Sequence, residues 1–88
     1  MRIAVLGAGA WGTALAQHAA QSHELMMWAR DPVLARAITV DHANPRYLPG
    51  VTLRPSIGAS ASLPQVLQWL AAGQRRLLVL GTSVAGLR

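Results

Sequence analysis

Residues 2–12 read Arg-Ile-Ala-Val-Leu-Gly-Ala-Gly-Ala-Trp-Gly, and this stretch decides the fold. The continuous apolar character of residues 2–6 predicts a buried strand. The alanine-rich, proline-free residues 10–21 predict a helix. The spacing G-x-G-x-x-G therefore falls between a strand and a helix, which is the context in which these glycines indicate a nucleotide-binding turn.

Each glycine of this motif has its own predicted role. Gly7 allows the tight turn, Gly9 lets the backbone come close to a pyrophosphate, and Gly12 permits close packing of helix on strand. Free backbone N–H groups and the positive end of the helix dipole then meet the phosphates. The alternative is a glycine-rich turn without a ligand.

The rest of the chain alternates in the same way, which predicts an α/β fold with a parallel sheet. Further strands are predicted at 24–28, near 57–60 (short) and at 77–80, the last one buried. We therefore expect a partial Rossmann-type doubly wound parallel sheet, a βαβαβαβ unit with strand order 3-2-1-4. In that order the strand at 77–80 lies at an apolar, uncharged edge that promotes self-association.

Two further helices have clear start signals. Asp31 followed by Pro32 predicts a capped start, with Asn44-Pro45 ending that helix. Ser62 is the predicted cap of a helix over 63–72 that ends at Gly73. The side chains predicted to face inward are Val33, Leu34, Ala37 and Ile38 in the first of these helices and Val66, Leu67 and Leu70 in the second.

The end of the second strand bears on which dinucleotide binds. An NAD-selective site usually has an acid there, yet Trp28 and Ala29 occupy the corresponding positions. Arg30 follows, and its guanidinium can pair with a 2′-phosphate, so NADPH is favoured over NADH. Asp31 is close enough to bind the ribose, but we expect it to cap the helix. The alternative for Arg30 is a solvated surface arginine.

Composition narrows the class of protein. The chain has 88 residues, which is short for one domain and too short for two. With 52% of its residues apolar and 12% charged, it is not a disordered chain. Apolar runs are too short for a membrane span, the glycines interrupt any signal-peptide core, and cysteine is absent. A cytoplasmic protein is expected.

The charge is strongly basic, with eight arginines against three acids and a net charge of +5. The arginines are scattered, with Arg75-Arg76 as the one adjacent pair, so no nucleic-acid-binding stripe is formed. The three histidines are predicted surface residues whose spacing makes no metal site: His18, His23 and His42.

Three segments together resemble the N-terminus of bacterial NAD(P)-dependent sn-glycerol-3-phosphate dehydrogenases. They are the block 3–16 with a tryptophan inside the glycine motif, Leu-Met-Met-Trp-Ala-Arg-Asp at 25–31, and Asn-Pro-Arg-Tyr-Leu-Pro-Gly at 44–50. The resemblance implies that Arg30 holds the adenosine 2′-phosphate and that Tyr47 lies near the cofactor. The pyrophosphate contacts that it implies are Gly7, Gly9, Ala10, Trp11 and Gly12.

The sequence departs from the family pattern in three places. Thr82-Ser83 replaces the usual Pro-Ser, which puts a cofactor contact by Ser83 in doubt. Gln21-Ser22-His23 lacks the family's glycine, so Ser22 is expected to loosen the register of the second strand. The third departure is length.

The shortness implies a truncated dinucleotide-binding domain over 1–88, with the catalytic residues expected beyond Arg88 and no turnover by this chain alone. The whole enzyme would move hydride between a nicotinamide and dihydroxyacetone phosphate, giving sn-glycerol 3-phosphate for phospholipid synthesis. The alternatives are a fragment of another reductase or flavoprotein and a non-enzymatic nucleotide-binding module.

Overall fold

A computed structural model describes residues 1–80, in which strands and helices alternate along the chain. The prediction for Ser83 and the rest of 81–88 lies outside the described residues. The elements are β1 (Arg2–Leu6), α1 (Ala10–Ala19), β2 (Glu24–Trp28), α2 (Pro32–Val40), β3 (Gly58–Ser60), α3 (Leu63–Ala71) and β4 (Arg76–Leu80).

The four strands form one parallel sheet in the order β3-β2-β1-β4. This confirms the predicted doubly wound topology. The chain winds outward from β1 to β3 and then crosses back to place β4 on the other side of β1. The strand order therefore reverses between β1 and β4, and ligands of such sheets bind beside the carboxyl ends of the strands at this point.

Alternation along the strands divides the core between the two faces of the sheet. Ile3 and Val5 of β1 belong to a large apolar cluster that α1 and α2 cover. Ala4 belongs to a smaller cluster on the opposite face, where α3 contributes Val66 and Leu70. Both faces of β1 are thus buried, as its continuous apolar sequence predicts.

The turn between α1 and β2 keeps its shape without a glycine, so the expected loosening at Ser22 is wrong. The N–H groups of Ser22 and His23 both donate to the carbonyl of Ala19, at 3.1 and 3.0 Å. Ser22 is not among the residues with positive φ. Glu24 to Trp28 then pair in unbroken register with Arg2 to Leu6.

Helix α2 ends earlier than the sequence predicts. Val40 is its last residue, and His42 takes a left-handed φ of 53°, which the helix cannot continue through. The N–H groups of Asp41 and Ala43 both donate to the carbonyl of Ala37. Asn44-Pro45 therefore begins a separate loop rather than ending the helix.

Two predicted inward positions are exposed. Val33 in α2 is 74% exposed and Leu67 in α3 is 40% exposed. Val33 lies in the first turn of its helix. Leu34 and Ile38 are buried as predicted, and Ala35 takes the remaining inward position in α2.

Gly73 follows α3 as predicted, and its lack of a side chain has a local reason. A Cβ at Gly73 would lie 2.8 Å from Cδ of Arg2. The Arg2 guanidinium lies over the Trp69 ring at 5.0 Å and its Nε donates to Glu24 at 3.2 Å. The amino ends of β1 and β2 are thereby joined to the end of α3.

Strand β4 is exposed rather than buried. In the described part of the chain it pairs with β1 alone, and Leu77, Leu78 and Leu80 are 47%, 47% and 65% exposed. The predicted place of this strand at the edge of the sheet is thus confirmed, whereas its predicted burial is wrong. None of the helices within residues 1–80 has the length and apolarity needed to cross a membrane.

Candidate functional site

The glycine motif and Arg30 lie at the same edge of the sheet, where β1 and β2 end side by side. The N–H of Gly7 donates to the carbonyl of Trp28 at 3.0 Å, and the N–H of Ala29 donates to Ser60 at 3.0 Å. These bonds continue the parallel ladders past the strand ends. The turn into α1 and the turn into α2 therefore begin next to one another.

The three motif glycines differ in why glycine is needed. Gly7 has φ 113°, a left-handed conformation that side chains rarely adopt. Gly12 is buried within α1, against the sheet. Gly9 has φ −70° and ψ 179°, an extended conformation open to any residue. The backbone of Gly9 thus does not demand a glycine.

The start of α1 lacks the side-chain cap that the other two helices have. Gly9 occupies the N-cap position, no side chain of the described residues accepts from the first turn, and that turn holds no acid. In contrast, Asp31 accepts from Val33 N–H at 2.9 Å and Ser62 accepts from Gln65 N–H at 3.3 Å. The first-turn donors of α1 are thus the ones suited to an external anion.

Arg30 and Asp31, the two charged residues that follow β2, differ in their surroundings. Arg30 is exposed. One oxygen of Asp31 caps α2, and the other accepts from Arg46 Nη2 at 2.7 Å. The Arg46 hydrogen bond is the main reason why the pKa of Asp31 lies below its usual value, and the Val33 N–H adds to this effect. The predicted cap is thus confirmed, and the bond from Arg46 engages the second oxygen of Asp31 as well.

Two aromatic rings are exposed beside this edge. Trp11, in the first turn of α1, is 61% exposed, and Tyr47 is 47% exposed. Arg46 lies over the Tyr47 ring with its guanidinium carbon 6.0 Å from the centroid. The loop that carries Tyr47 reaches the site through Arg46 on one side and Asn44 on the other.

Sequence reasoning missed the residues that hold this loop against the glycine motif. Asn44 and Thr13 are fully buried polar side chains. Asn44 Nδ2 donates to the carbonyl of Ala8 and to Thr13 Oγ1, at 2.8 Å in each case. The Asn-Pro pair predicts a loop, but it does not indicate that the side-chain amide of Asn44 is buried.

The histidines lie apart from this site. His18 is exposed as predicted, whereas His23 and His42 are half-buried, each with an Nδ1 that has no hydrogen-bond partner among residues 1–80. No cluster of metal-ligating side chains occurs within residues 1–80. A cleft of about 620 Å³ beside His23 lies at the amino ends of the strands, opposite the glycine motif.

The parallel sheet, its order and the glycine turn define the class of Rossmann-type doubly wound proteins. Within it, the family model of the NAD-dependent glycerol-3-phosphate dehydrogenase N-terminus matches residues 2–87, and the chain belongs to that family. This confirms the family resemblance of the sequence.

Curated relatives agree with this membership. The chain is 51% identical over 87 residues to a glycerol-3-phosphate dehydrogenase (NAD(P)+) of Ralstonia nicotianae, covering 99% of this chain and 25% of the relative. It is 46% identical over 88 residues to the protein of that name from Cupriavidus pinatubonensis, covering 100% of this chain and 25% of the relative. The chain thus spans about a quarter of the length of these relatives.

Solved structures share the fold. A glycerol-3-phosphate dehydrogenase from Coxiella burnetii matches with a TM-score of 0.72 and 30% identity, covering 90% of this chain and 24% of that one. The Plasmodium falciparum glycerol-3-phosphate dehydrogenase matches with a TM-score of 0.71 and 27% identity, covering 91% of this chain and 24% of that one.

Proposed function

We propose that this chain binds NADPH or NADH and forms the adenosine and pyrophosphate side of a glycerol-3-phosphate dehydrogenase site. The observation that supports this most strongly is the start of α1, uncapped by any described side chain and located where the strand order reverses. Family membership supports the same cofactor class.

In this proposal the pyrophosphate lies against the first turn of α1. The N–H groups of that turn point along the helix axis and carry the positive end of its dipole, so they stabilise a doubly charged bridge. Gly7 makes the turn, Gly9 admits the phosphates, and Gly12 lets α1 lie close to the sheet. Ala10 and Trp11 contribute first-turn backbone contacts.

Arg30 is the proposed partner of the 2′-phosphate. It directly follows Ala29 at the end of β2, and its guanidinium offers paired donors that match a phosphate. The competing acid, Asp31, is engaged with Val33 and Arg46, so it is poorly suited to receive ribose hydroxyls. These features favour NADPH over NADH. Tyr47, exposed on the neighbouring loop, is the proposed aromatic contact to the cofactor.

The activity of the whole protein is part of the proposal, because this chain spans about a quarter of its relatives. The nicotinamide would supply or accept hydride, and the substrate pair would be dihydroxyacetone phosphate and sn-glycerol 3-phosphate, for phospholipid synthesis. Residues 1–88 would bind and orient the cofactor without turnover, since the catalytic residues are proposed to lie outside them.

A ligand titration tests the cofactor assignment. The 88-residue chain should bind NADPH more tightly than NADH and should not bind FAD. Arg30→Ala should weaken NADPH binding about tenfold or more and leave NADH within about twofold, because one charged hydrogen-bonding group is lost. Arg75→Ala is the control, since Arg75 is also exposed but lies at the amino end of β4. Equal losses in both variants would contradict the assignment.

The exposed leucines of β4 support self-association of this chain as a further part of the proposal. Within residues 1–80 the outer edge of this apolar strand is unpaired, and such an edge invites pairing with a second copy. Leu78→Lys should lower the average mass measured by light scattering, whereas Val33→Lys, at another exposed apolar position, should not. A wild-type chain that stays monomeric would contradict this part.

The expected cytoplasmic location belongs to the proposal too, and cell fractionation tests it.

A further inference from the structure

The buried amide of Asn44 lies directly beneath the glycine turn. Its Nδ2 donates 2.8 Å hydrogen bonds to Ala8 O and to Thr13 Oγ1, and Thr13 Oγ1 also lies 3.4 Å from Ala8 O. Asn44 and Thr13 are both fully buried. A polar network without access to solvent holds its members in place, because any displacement leaves a buried group without a partner.

The carbonyl that this network holds belongs to the peptide between Ala8 and Gly9. A trans peptide is planar, so its C=O and its N–H point in opposite directions. Turning the Ala8 carbonyl inward toward Asn44 therefore turns the Gly9 N–H outward, away from the buried amide. The orientation of a main-chain donor of the glycine turn is thus set by a side chain thirty-six residues further along the chain.

The other end of the same amide organises the loop beside the turn. Asn44 Oδ1 accepts from the Tyr47 N–H at 3.2 Å, and the Asn44 carbonyl accepts from the Leu48 N–H at 2.9 Å. These bonds close the turn that presents the Tyr47 ring. One side chain therefore joins the two surfaces proposed to contact the cofactor.

We propose that Asn44 is a positioning residue of the dinucleotide site, which orients the Gly9 N–H toward the pyrophosphate and holds Tyr47 in place. Thr13 is its buried acceptor and supports the same geometry. This inference rests on the proposed function, since a ligand must lie against the glycine turn for the orientation to affect binding.

Two ligands separate positioning from general stability. Asn44→Ala should weaken NADPH binding about tenfold or more, because the pyrophosphate loses a donor held in place. Binding of adenosine 2′-monophosphate, which carries the 2′-phosphate but no 5′-phosphate to reach the glycine turn, should change by less than about threefold. Asn44→Asp should behave like Asn44→Ala, since it nearly preserves the shape and replaces the donor with an acceptor facing Ala8 O.

Gln17→Ala is the matched control. Gln17 is another amide that ties α1 to a loop, donating to Thr52 O at 3.1 Å and accepting from Arg54 N–H at 2.8 Å. It should lower the melting temperature yet leave NADPH binding within about twofold. If Asn44→Ala fails to fold, Thr13→Val removes the acceptor instead, and Thr13→Ser should restore binding by restoring the hydroxyl.

The outcomes distinguish this inference from the proposed function. A wild-type chain that binds NADPH while Asn44→Ala binds it equally well overturns the inference alone. Equal losses for NADPH and adenosine 2′-monophosphate, or for the Asn44 and Gln17 variants, also overturn it. If the wild-type chain binds no dinucleotide, the proposed function fails and so does a binding role for Asn44. The ligand-free amide signals of Gly9 and Tyr47 should nevertheless move in Asn44→Asp, and unchanged signals overturn the geometric part.

Discussion

Helices α1 and α3 begin in opposite ways. In α3, Ser62 accepts from the Gln65 N–H, and Pro64 in the first turn removes another donor. In α1, Gly9 offers no side chain, and the first turn contains no proline, no acid and no side-chain acceptor from the described residues. The first-turn donors of α3 are thus partly satisfied by a side chain of its own sequence, whereas those of α1 are left to a partner or to water.

The difference shows how backbone alone can leave one helix start open to an anion while another is closed. A helix N-terminus that is capped internally is stabilised and closed to anions. One that begins with glycine loses that stabilisation and keeps its donors and its dipole available. The two helix starts also differ in their place in the sheet. Helix α1 follows the central strand β1, where the strand order reverses, while α3 begins after β3 at the edge of the sheet.

The largest expected effect comes from giving α1 the kind of start that α2 has. Gly9→Asp supplies a capping carboxylate, and the φ of −70° accommodates it. NADPH binding should weaken at least about 100-fold, because the new anion takes the donors and repels the pyrophosphate. The change is measured by calorimetric titration of the 88-residue chain.

Ser62→Asp controls for the Gly9 variant by placing the same side chain at the same position of α3. Its NADPH affinity should stay within about twofold of wild type, since the cap there is only exchanged for an equivalent one. A Gly9→Asp chain that still binds NADPH like wild type would show that the first turn of α1 does not hold the phosphates.

A medium effect is expected from removing the cap of α3. Ser62→Ala leaves the Gln65 N–H without its acceptor and should lower the free energy of unfolding by about 1 kcal/mol. The melting temperature, followed by circular dichroism, should then fall by about 4–8 °C for a chain of this size. NADPH affinity, corrected for the folded fraction, should not change. A loss of affinity would mean that the two helix starts are not independent.

The smallest expected effect concerns the cap of α2. Since the pKa of Asp31 is lower in the folded chain, its pairing adds stability above the ordinary aspartate pKa of about 3.9. That contribution is lost as the pH falls through the lower pKa of the folded state. Arg46→Ala should raise the pKa of Asp31 toward its ordinary value, as measured by NMR titration of the carboxyl carbon.

Arg36→Ala is the control for the Arg46 variant, because Arg36 is an exposed arginine of α2 with no hydrogen bond to Asp31 among the described contacts. It should leave the Asp31 titration where it is in wild type. An Asp31 pKa that does not move in Arg46→Ala would mean that the 2.7 Å pair is not formed in solution. Added salt should reduce the difference in the Asp31 pKa between wild type and Arg46→Ala, since both side chains of the pair reach solvent.

The sequence predicts those features that depend on local patterns. The strand-glycine-helix order around Gly7 and the caps at Asp31 and Ser62 are short-range signals, and the structure confirms each of them. Parallel pairing in the order β3-β2-β1-β4 follows from the alternation of strands and helices. These features do not depend on which distant side chains happen to meet.

The missed features depend on contacts between distant segments. The burial of Asn44 arises because its loop packs under the glycine turn, thirty-six residues away from Ala8. The early end of α2 depends on the left-handed φ of His42, and the sequence has no glycine or proline at that point to indicate a helix end. The predicted edge position of β4 is confirmed, but its predicted burial is wrong, because a run of apolar residues does not show how much of the strand its neighbours cover. The binding roles of Arg30, Tyr47 and the glycine-motif residues stay predictions.

The most direct test follows the main-chain amides themselves. Two-dimensional ¹⁵N–¹H spectra of the wild-type chain are recorded with and without NADPH, below the concentration at which light scattering detects association. The largest shifts should fall on Gly9, Ala10, Trp11 and Gly12, while Leu63 and Gln65 at the start of α3 stay in place. Shifts that spare the first turn of α1, or that fall equally on both helix starts, would contradict the binding of the pyrophosphate by this turn.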